Sequence, residues 1–182
     1  RERVAENGVP LIYVNMVGGQ DELVFDGASF ALNREGGIMN QLPLFKEALG
    51  IVTIENGDAQ RGEIAPEHTL EAEVYDALCL GVRDYVGKNG FPGVLLGLSG
   101  GIDSALTLAV AVDALGADKV RAVMMPSQYT ASISREDARA QAEALRVRYT
   151  EIAIKPVFDT FLAALAAEFE GLAQDTTEEN LQ

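Results

Sequence analysis

A fully apolar run, Val94-Leu95-Leu96, leads through Gly97-Leu98 into Ser99-Gly100-Gly101-Ile102-Asp103-Ser104, after which the pattern turns helical. This strand, glycine loop and helix constrain the fold more than any other part of the 182 residues. A strand without polar alternation is buried on both faces, which is the habit of parallel sheets covered by helices. The chain that follows keeps alternating. The pattern predicts a strand over 93–98, a helix over 103–115 stopped by Gly116, and a strand over 120–125 ended by Pro126. A helix over 135–146 starts behind Ser134, with Asp137 at capping-box spacing. A strand over 149–154 and a helix over 157–172, with Pro156 in its first turn, complete a third unit. The expectation is an α/β fold whose C-terminal half is a doubly wound parallel sheet with right-handed crossovers. The glycine loop then sits at the carboxyl edge of the sheet, where such folds bind ligands.

The loop has the chemistry of an anion nest. Adjacent Gly100 and Gly101 let the backbone turn its N–H groups toward one point, and the helix adds its positive end. Ser99 and Ser104 flank it with hydroxyls. Asp103 is the one carboxylate there, and beside a phosphate it is best explained as a Mg²⁺ ligand. No Gly-Lys-Ser/Thr follows the glycines, so this is not a Walker A loop, and the dinucleotide pattern Gly-x-Gly-x-x-Gly is absent. Residues 97–101, Gly97-Leu98-Ser99-Gly100-Gly101, do match the Gly-x-Ser-x-Gly nucleophile elbow of serine hydrolases. That fold orders its triad serine, acid, histidine, whereas the single histidine, His68, precedes Ser99. A non-catalytic nucleotide-binding module and a purely structural turn are the remaining alternatives.

Length alone allows one domain of roughly 150 residues, but two blocks separate. Residues 1–57 carry short apolar runs over 9–14, 28–32 and 49–54, bounded by Gly and Asn clusters. Three strands cannot close a core, so this block is expected to be part of a domain. Residues 58–68, with Gly62 and Pro66, read as a linker. A long helix then starts at Leu70 and runs to about Gly87, with Val74, Leu78 and Tyr85 at helical spacing. Fourteen Lys and Arg against 28 Asp and Glu give a net charge of −14, which argues against a nucleic-acid surface. One cysteine excludes an intrachain disulfide and fits a reducing, cytoplasmic setting, and one histidine excludes a multi-histidine metal site. No apolar run is long enough to span a membrane. Arg1 begins what reads as the tail of a helix, and the chain stops at Gln182 without a terminal signal, so a piece of a longer protein is expected.

Ser99-Gly100-Gly101-Ile102-Asp103-Ser104 resembles the SGGxDS pyrophosphate loop of ATP pyrophosphatases, an adenine nucleotide alpha hydrolase-like fold. Met124-Met125-Pro126-Ser127-Gln128-Tyr129-Thr130 with Ser134-Arg135-Glu136-Asp137-Ala138 resembles the second-strand loop of glutamine-dependent NAD⁺ synthetases. Tyr13 to Gly27, read as YVNMVGGQDELVFDG, is similar to the signature of that family's nitrilase-like glutaminase domain. Met16 departs from a more polar residue there, and Arg146 stands where the family usually places glycine.

The resemblance implies three parts. Residues 1–57 would end a nitrilase-like α/β sandwich, 58–68 would link, and 69–182 would be the first half of the synthetase domain. It implies a ligase of NAD biosynthesis that uses ATP to adenylylate the nicotinate carboxylate of deamido-NAD⁺, releasing pyrophosphate. Ammonia from glutamine then displaces AMP. Gly97, Leu98, Ser99, Gly100, Gly101, Ile102, Asp103 and Ser104 would hold ATP, with Asp103 on Mg²⁺ and Met125 and Ser127 reaching the adenosine. Gln128 and Tyr129 are weaker candidates, being the kind of polar residues any exposed loop carries. Asn180, in a stretch similar to the start of the deamido-NAD⁺ segment, would touch that substrate, unless it is only a frayed helix end. The glutaminase Glu, Lys and Cys would lie upstream of this sequence. Cys79, mid-helix between Leu78 and Leu80, reads as a buried apolar side chain instead. The family further implies a homo-oligomer acting on small molecules, with neither a membrane nor nucleic acid as partner.

Overall fold

A computed structural model describes residues 1–168 of the chain, which fall into two compact units, one over Arg1–Phe91 and one from Pro92 onward. The first unit opens with α1 (Glu2–Asn7), ended by Gly8 in the left-handed conformation at φ 64°. Short strands follow: β1 (Leu11–Tyr13), β2 (Val17–Gln20), β3 (Leu23–Asp26), β4 (Phe30–Leu32), β5 (Ile38–Gln41), β6 (Ile54–Glu55) and β7 (Asp58–Ala59). They form an antiparallel sheet in the order β1-β4-β5 and two hairpins, β2-β3 and β6-β7. Asn56 and Gly57, both at positive φ, make the two-residue turn of the second hairpin. Most of the apolar run over 49–54 is not strand: Leu49 and Ile51 are 95% and 84% exposed, and only Ile54 pairs. Residues 58–68, expected to link, begin with β7, and Ile64 bridges to Gln41.

Helix α2 (Leu70–Lys88) starts where Thr69 Oγ1 accepts a hydrogen bond from the Ala72 N–H, and it buries Cys79, Leu80 and Val86. It packs on the β2-β3 hairpin at a place where both backbones come close. A Cβ at Gly19 would stand 3.2 Å from Asp84 Cβ and 3.4 Å from Gly81 Cα. The Gly19 N–H donates to Asp84 Oδ2 at 2.8 Å, and Lys88 Nζ donates to the Gly19 carbonyl at 2.6 Å. Burial alone would raise the Asp84 pKa, but the bonds from Lys88 and Gly19 outweigh it and hold the carboxyl below its ordinary value.

The second unit contains the alternation expected from the sequence: β8 (Val94–Gly97), α3 (Ile102–Leu115), a 3₁₀ turn at Ala117–Lys119, β9 (Val120–Met124), α4 (Ser132–Ala144), β10 (Arg148–Glu151) and α5 (Lys155–Leu165). The three strands are parallel in the order β10-β9-β8, so among the described residues β8 is an edge strand, and Leu95 is 68% exposed rather than buried as the unbroken apolar run leads one to expect. Leu98 and Leu108, with Val120, Ala122, Ala138, Ala142 and Val147, make the core between sheet and helices. Burying a Leu or Val side chain is worth about 1.5–3 kcal/mol. The small Ala138 and Ala142 let α4 lie close to it. Helix α4 differs from expectation at its start. It begins at Ser132 behind Ala131, which offers no side-chain cap, so the Ser134/Asp137 capping box does not form and Ser134 lies inside the helix. At its other end the Arg146 N–H donates to the Glu143 carbonyl at 3.0 Å and the Val147 N–H to the Ala142 carbonyl at 2.9 Å, a Schellman closure with Arg146 at φ 57°. Among the described residues no helix is long and apolar enough to cross a membrane.

Candidate functional site

The carboxyl ends of β8, β9 and β10 place three loops side by side. The ladder carries on one residue past β8, where the Leu98 N–H donates to the Val123 carbonyl at 2.9 Å and the Leu98 side chain is buried. The chain then turns through Ser99, Gly100 and Gly101 into α3. Gly100 lies at φ 82°, and a Cβ there would collide with the Ser134 carbonyl of α4. This position therefore excludes every side chain twice over, by conformation and by space.

Two hydroxyls shape the loop. Ser104 Oγ accepts from the Ser99 N–H at 3.2 Å and donates to the Gly101 carbonyl at 3.0 Å. Ser99 Oγ lies 3.0 Å from Ser104 Oγ and accepts from the Gly101 N–H at 3.3 Å. Gly101 is the N-cap of α3 and brings no side chain to it. The Ile102 and Asp103 N–H groups, in the first turn, have no intrahelical acceptor and face the loop end of the helix with its partial positive charge. The Asp103 carboxylate is exposed and has no partner among the described residues, while its carbonyl accepts from Thr107 Oγ1 at 2.8 Å. The segment from Gly97 to Ser104 is thus a strand-to-helix cradle with one outward carboxylate, and the first-turn N–H groups beside it are of the kind that hold anions in other proteins.

The same geometry counts against a nucleophile elbow. The hydrogen-bond partners of Ser99 Oγ are Ser104 and Gly101, with neither an imidazole nor a carboxylate among them. The strained position is Gly100, not Ser99, whereas an elbow strains its serine. His68 has Asp76 as its neighbour, 3.6 Å away within the first unit.

The loop after β9 brings Met125 against the end of β8, while Ser127 and Tyr129 take part in contacts of the loop itself. A Cβ at Gly97 would stand 3.6 Å from Met125 Cε, so that half-exposed methionine lies over the end of β8. Ser127 spends its hydroxyl on the loop itself, accepting from the Tyr129 N–H at 3.1 Å, and its own N–H donates to Thr130 Oγ1 at 3.0 Å. The Tyr129 ring meets the buried Phe158 of α5 edge-on at 6.3 Å. Gln128 is exposed. Asn180 lies outside the described residues.

A third group at this edge was not expected from the sequence. Glu151, the last residue of β10, accepts from Arg135 Nη2 and Arg139 Nη2, each at 2.6 Å, and from the Tyr149 hydroxyl at 3.1 Å. The bonds from Arg135 and then Arg139 hold its pKa at about 2. Burial, followed by the hydrogen bond to Glu151, pushes the Tyr149 pKa upward, and the hydrogen bond to Glu151 raises that of Arg139. A spacing signal existed, since Arg135 and Arg139 are one helical turn apart. Their common partner on a strand 12 residues beyond Arg139 was visible only in three dimensions.

Comparison with known proteins finds relatives over nearly the whole chain. The family model described as NAD synthase matches residues 74–182. A glutamine-dependent NAD(+) synthetase of Acinetobacter baylyi is 49% identical over 176 residues, covering 96% of this chain and 32% of its own. That of Rhodobacter capsulatus is 48% identical, with 99% of this chain and 33% of its own covered. The structure of glutamine-dependent NAD+ synthetase from Acinetobacter baumannii in complex with ADP superposes with a TM-score of 0.94 at 48% identity, over 99% of this chain and 35% of that one. The chain therefore spans about a third of the length of the curated relatives it matches.

Proposed function

The chain belongs to the NAD synthase family, and on that premise we propose that the protein it represents makes NAD⁺ by ATP-dependent amidation of deamido-NAD⁺. The observation that carries this reading is the cradle from Gly97 to Ser104 with its outward Asp103, within a chain 48% identical to an ADP-bound relative. Ser99, Gly100, Gly101 and Ser104, with the first-turn N–H groups of Ile102 and Asp103, hold the phosphates of ATP. Gly97 and Leu98 set the end of the strand from which they project. Met125 covers the adenosine, and Ser127 keeps the adjoining loop in shape.

Among the described residues no three His, Cys, Asp or Glu side chains gather to cage a metal. Mg²⁺ needs no such cage, since it keeps its waters and binds through one or two carboxylates plus substrate phosphates. The free carboxylate of Asp103 beside a phosphate cradle fits that donor set. When bound, Mg²⁺ neutralises charge on the phosphates and the departing pyrophosphate. The chain's own part is to fix the phosphates so that the nicotinate carboxylate attacks the α-phosphorus and pyrophosphate leaves. Ammonia then adds to the acyl carbon of the adenylate, AMP departs with the bonding electron pair, and the nitrogen gives up one proton to solvent to leave the neutral amide. No protein nucleophile is needed.

In the whole protein the ammonia comes from glutamine. Residues 1–57 are the last part of a nitrilase-like glutaminase domain, 58–68 connect, and 69–182 begin the synthetase domain. Asn180 contacts deamido-NAD⁺. The protein works in the cytoplasm as a homo-oligomer. The test is release of pyrophosphate and AMP by the full-length protein given ATP, deamido-NAD⁺ and ammonia. Asp103→Ala is expected to lower that rate about 100-fold or more, as loss of several kcal/mol of charge stabilisation requires. An unchanged rate removes the metal role, and absence of pyrophosphate release in the wild type removes the activity.

A further inference from the structure

Helix α4 is tied on two sides. Toward β10, the single carboxylate of Glu151 receives Arg135 and Arg139 on separate oxygens, 2.6 Å each, so it grips two successive turns. The Arg139 guanidinium also lies 5.9 Å from the centre of the Tyr149 ring, and the Tyr149 hydroxyl bonds to the same carboxylate. Toward α3, Gln141 Nε2 donates to the Ala105 carbonyl at 2.8 Å, in the turn that follows the glycine loop. The backbone of α4 at Ser134, next to Arg135, is what Gly100 packs against.

These ion pairs are poor candidates for a stabilising role. The Arg135 and Arg139 side chains are 49% and 58% exposed, and exposed pairs contribute about 0–1 kcal/mol. Three donors on one carboxylate do, however, fix direction, because each restricts the others. We infer that Glu151 is a positioning residue of the nucleotide site: by anchoring α4 it sets the Ser134 carbonyl, and through that contact it keeps Gly100 in the left-handed conformation that opens the cradle. The inference rests on the ATP-dependent reading above and adds to it a residue that touches no substrate.

The test uses the full-length protein under steady state with ATP, deamido-NAD⁺ and ammonia varied in turn. Glu151→Gln keeps the shape and removes the charge. The KM for ATP is expected to rise about tenfold, with kcat within about threefold and the KM for ammonia unchanged. Arg135→Gln, beside Ser134, is expected to raise the KM for ATP more than Arg139→Gln does, although both remove one exposed pair. If Glu151→Gln does not fold, that ordering of the two arginine variants decides. An unchanged KM for ATP in an active protein, equal rises in both KM values, or equal effects of the two arginine variants overturns the positioning role alone. A wild type that releases no pyrophosphate from ATP overturns the reading beneath it as well.

Discussion

Two residues at positive φ show how differently one backbone conformation can be used. Gly100 needs it, at φ 82°, and has the Ser134 carbonyl where a side chain would begin. Gly100→Ala therefore meets both a left-handed penalty and a backbone overlap, and is expected to cost about 2–4 kcal/mol, seen as a lower urea midpoint with loss of ATP binding. Arg146 closes α4 at φ 57°, where a glycine would be unstrained. Helix α2 ends in the same closure, with Gly90 at φ 69° in that place and the Phe91 N–H bonded to the Val86 carbonyl. Arg146→Gly is expected to stabilise the protein by about 1 kcal/mol, read as a higher urea midpoint with an unchanged slope. The arginine is notable in the sequence only through a resemblance that leads one to expect glycine there. Its cost is visible only in the dihedral angle.

Among the elements, the strands and helices whose residues carry their own pattern were readable. The alternation from Val94 onward gave the parallel sheet, because apolar strands and glycine or proline stops are local signals. The β2-β3 hairpin was not readable. Val17-Gly18-Gly19-Gln20 has almost no side chain to show a period, and its glycines resemble a turn. They are needed instead because α2 comes within contact of the strand backbone. The start of α4 escaped for a related reason: Ala131 supplies no cap, and the partners around the first turn come from Gly100 and from Glu151. At the candidate site the strand, glycine turn and helix from Gly97 to Ser104 were readable as local structure because their residues are consecutive, while Glu151 was not, since its two arginines belong to another element. The hairpin contact makes its own prediction. Asp84→Ala leaves the Gly19 N–H without its acceptor and is expected to cost about 1–3 kcal/mol, measured by urea unfolding and by faster amide exchange at Gly19.

For the molecule as a whole, length was a weak guide: 182 residues suit one domain, and the chain forms two compact units. The family match and the packing also divide it at different places. The match begins at residue 74, inside α2, while α2 packs in the unit Arg1–Phe91. Sequence composition shows where a chain is polar and rich in turns, as at 58–68, but not which neighbour a helix has chosen. That has a consequence for inheritance. A recombination event in the polar stretch before α2 would bring a helix from one parent to a hairpin from the other. Such a chimaera would keep its fit only if both parents had the glycine on one side and the carboxylate on the other. Gly19 and Asp84 are thus two halves of one contact that such an exchange would divide, although 65 positions separate them along the chain.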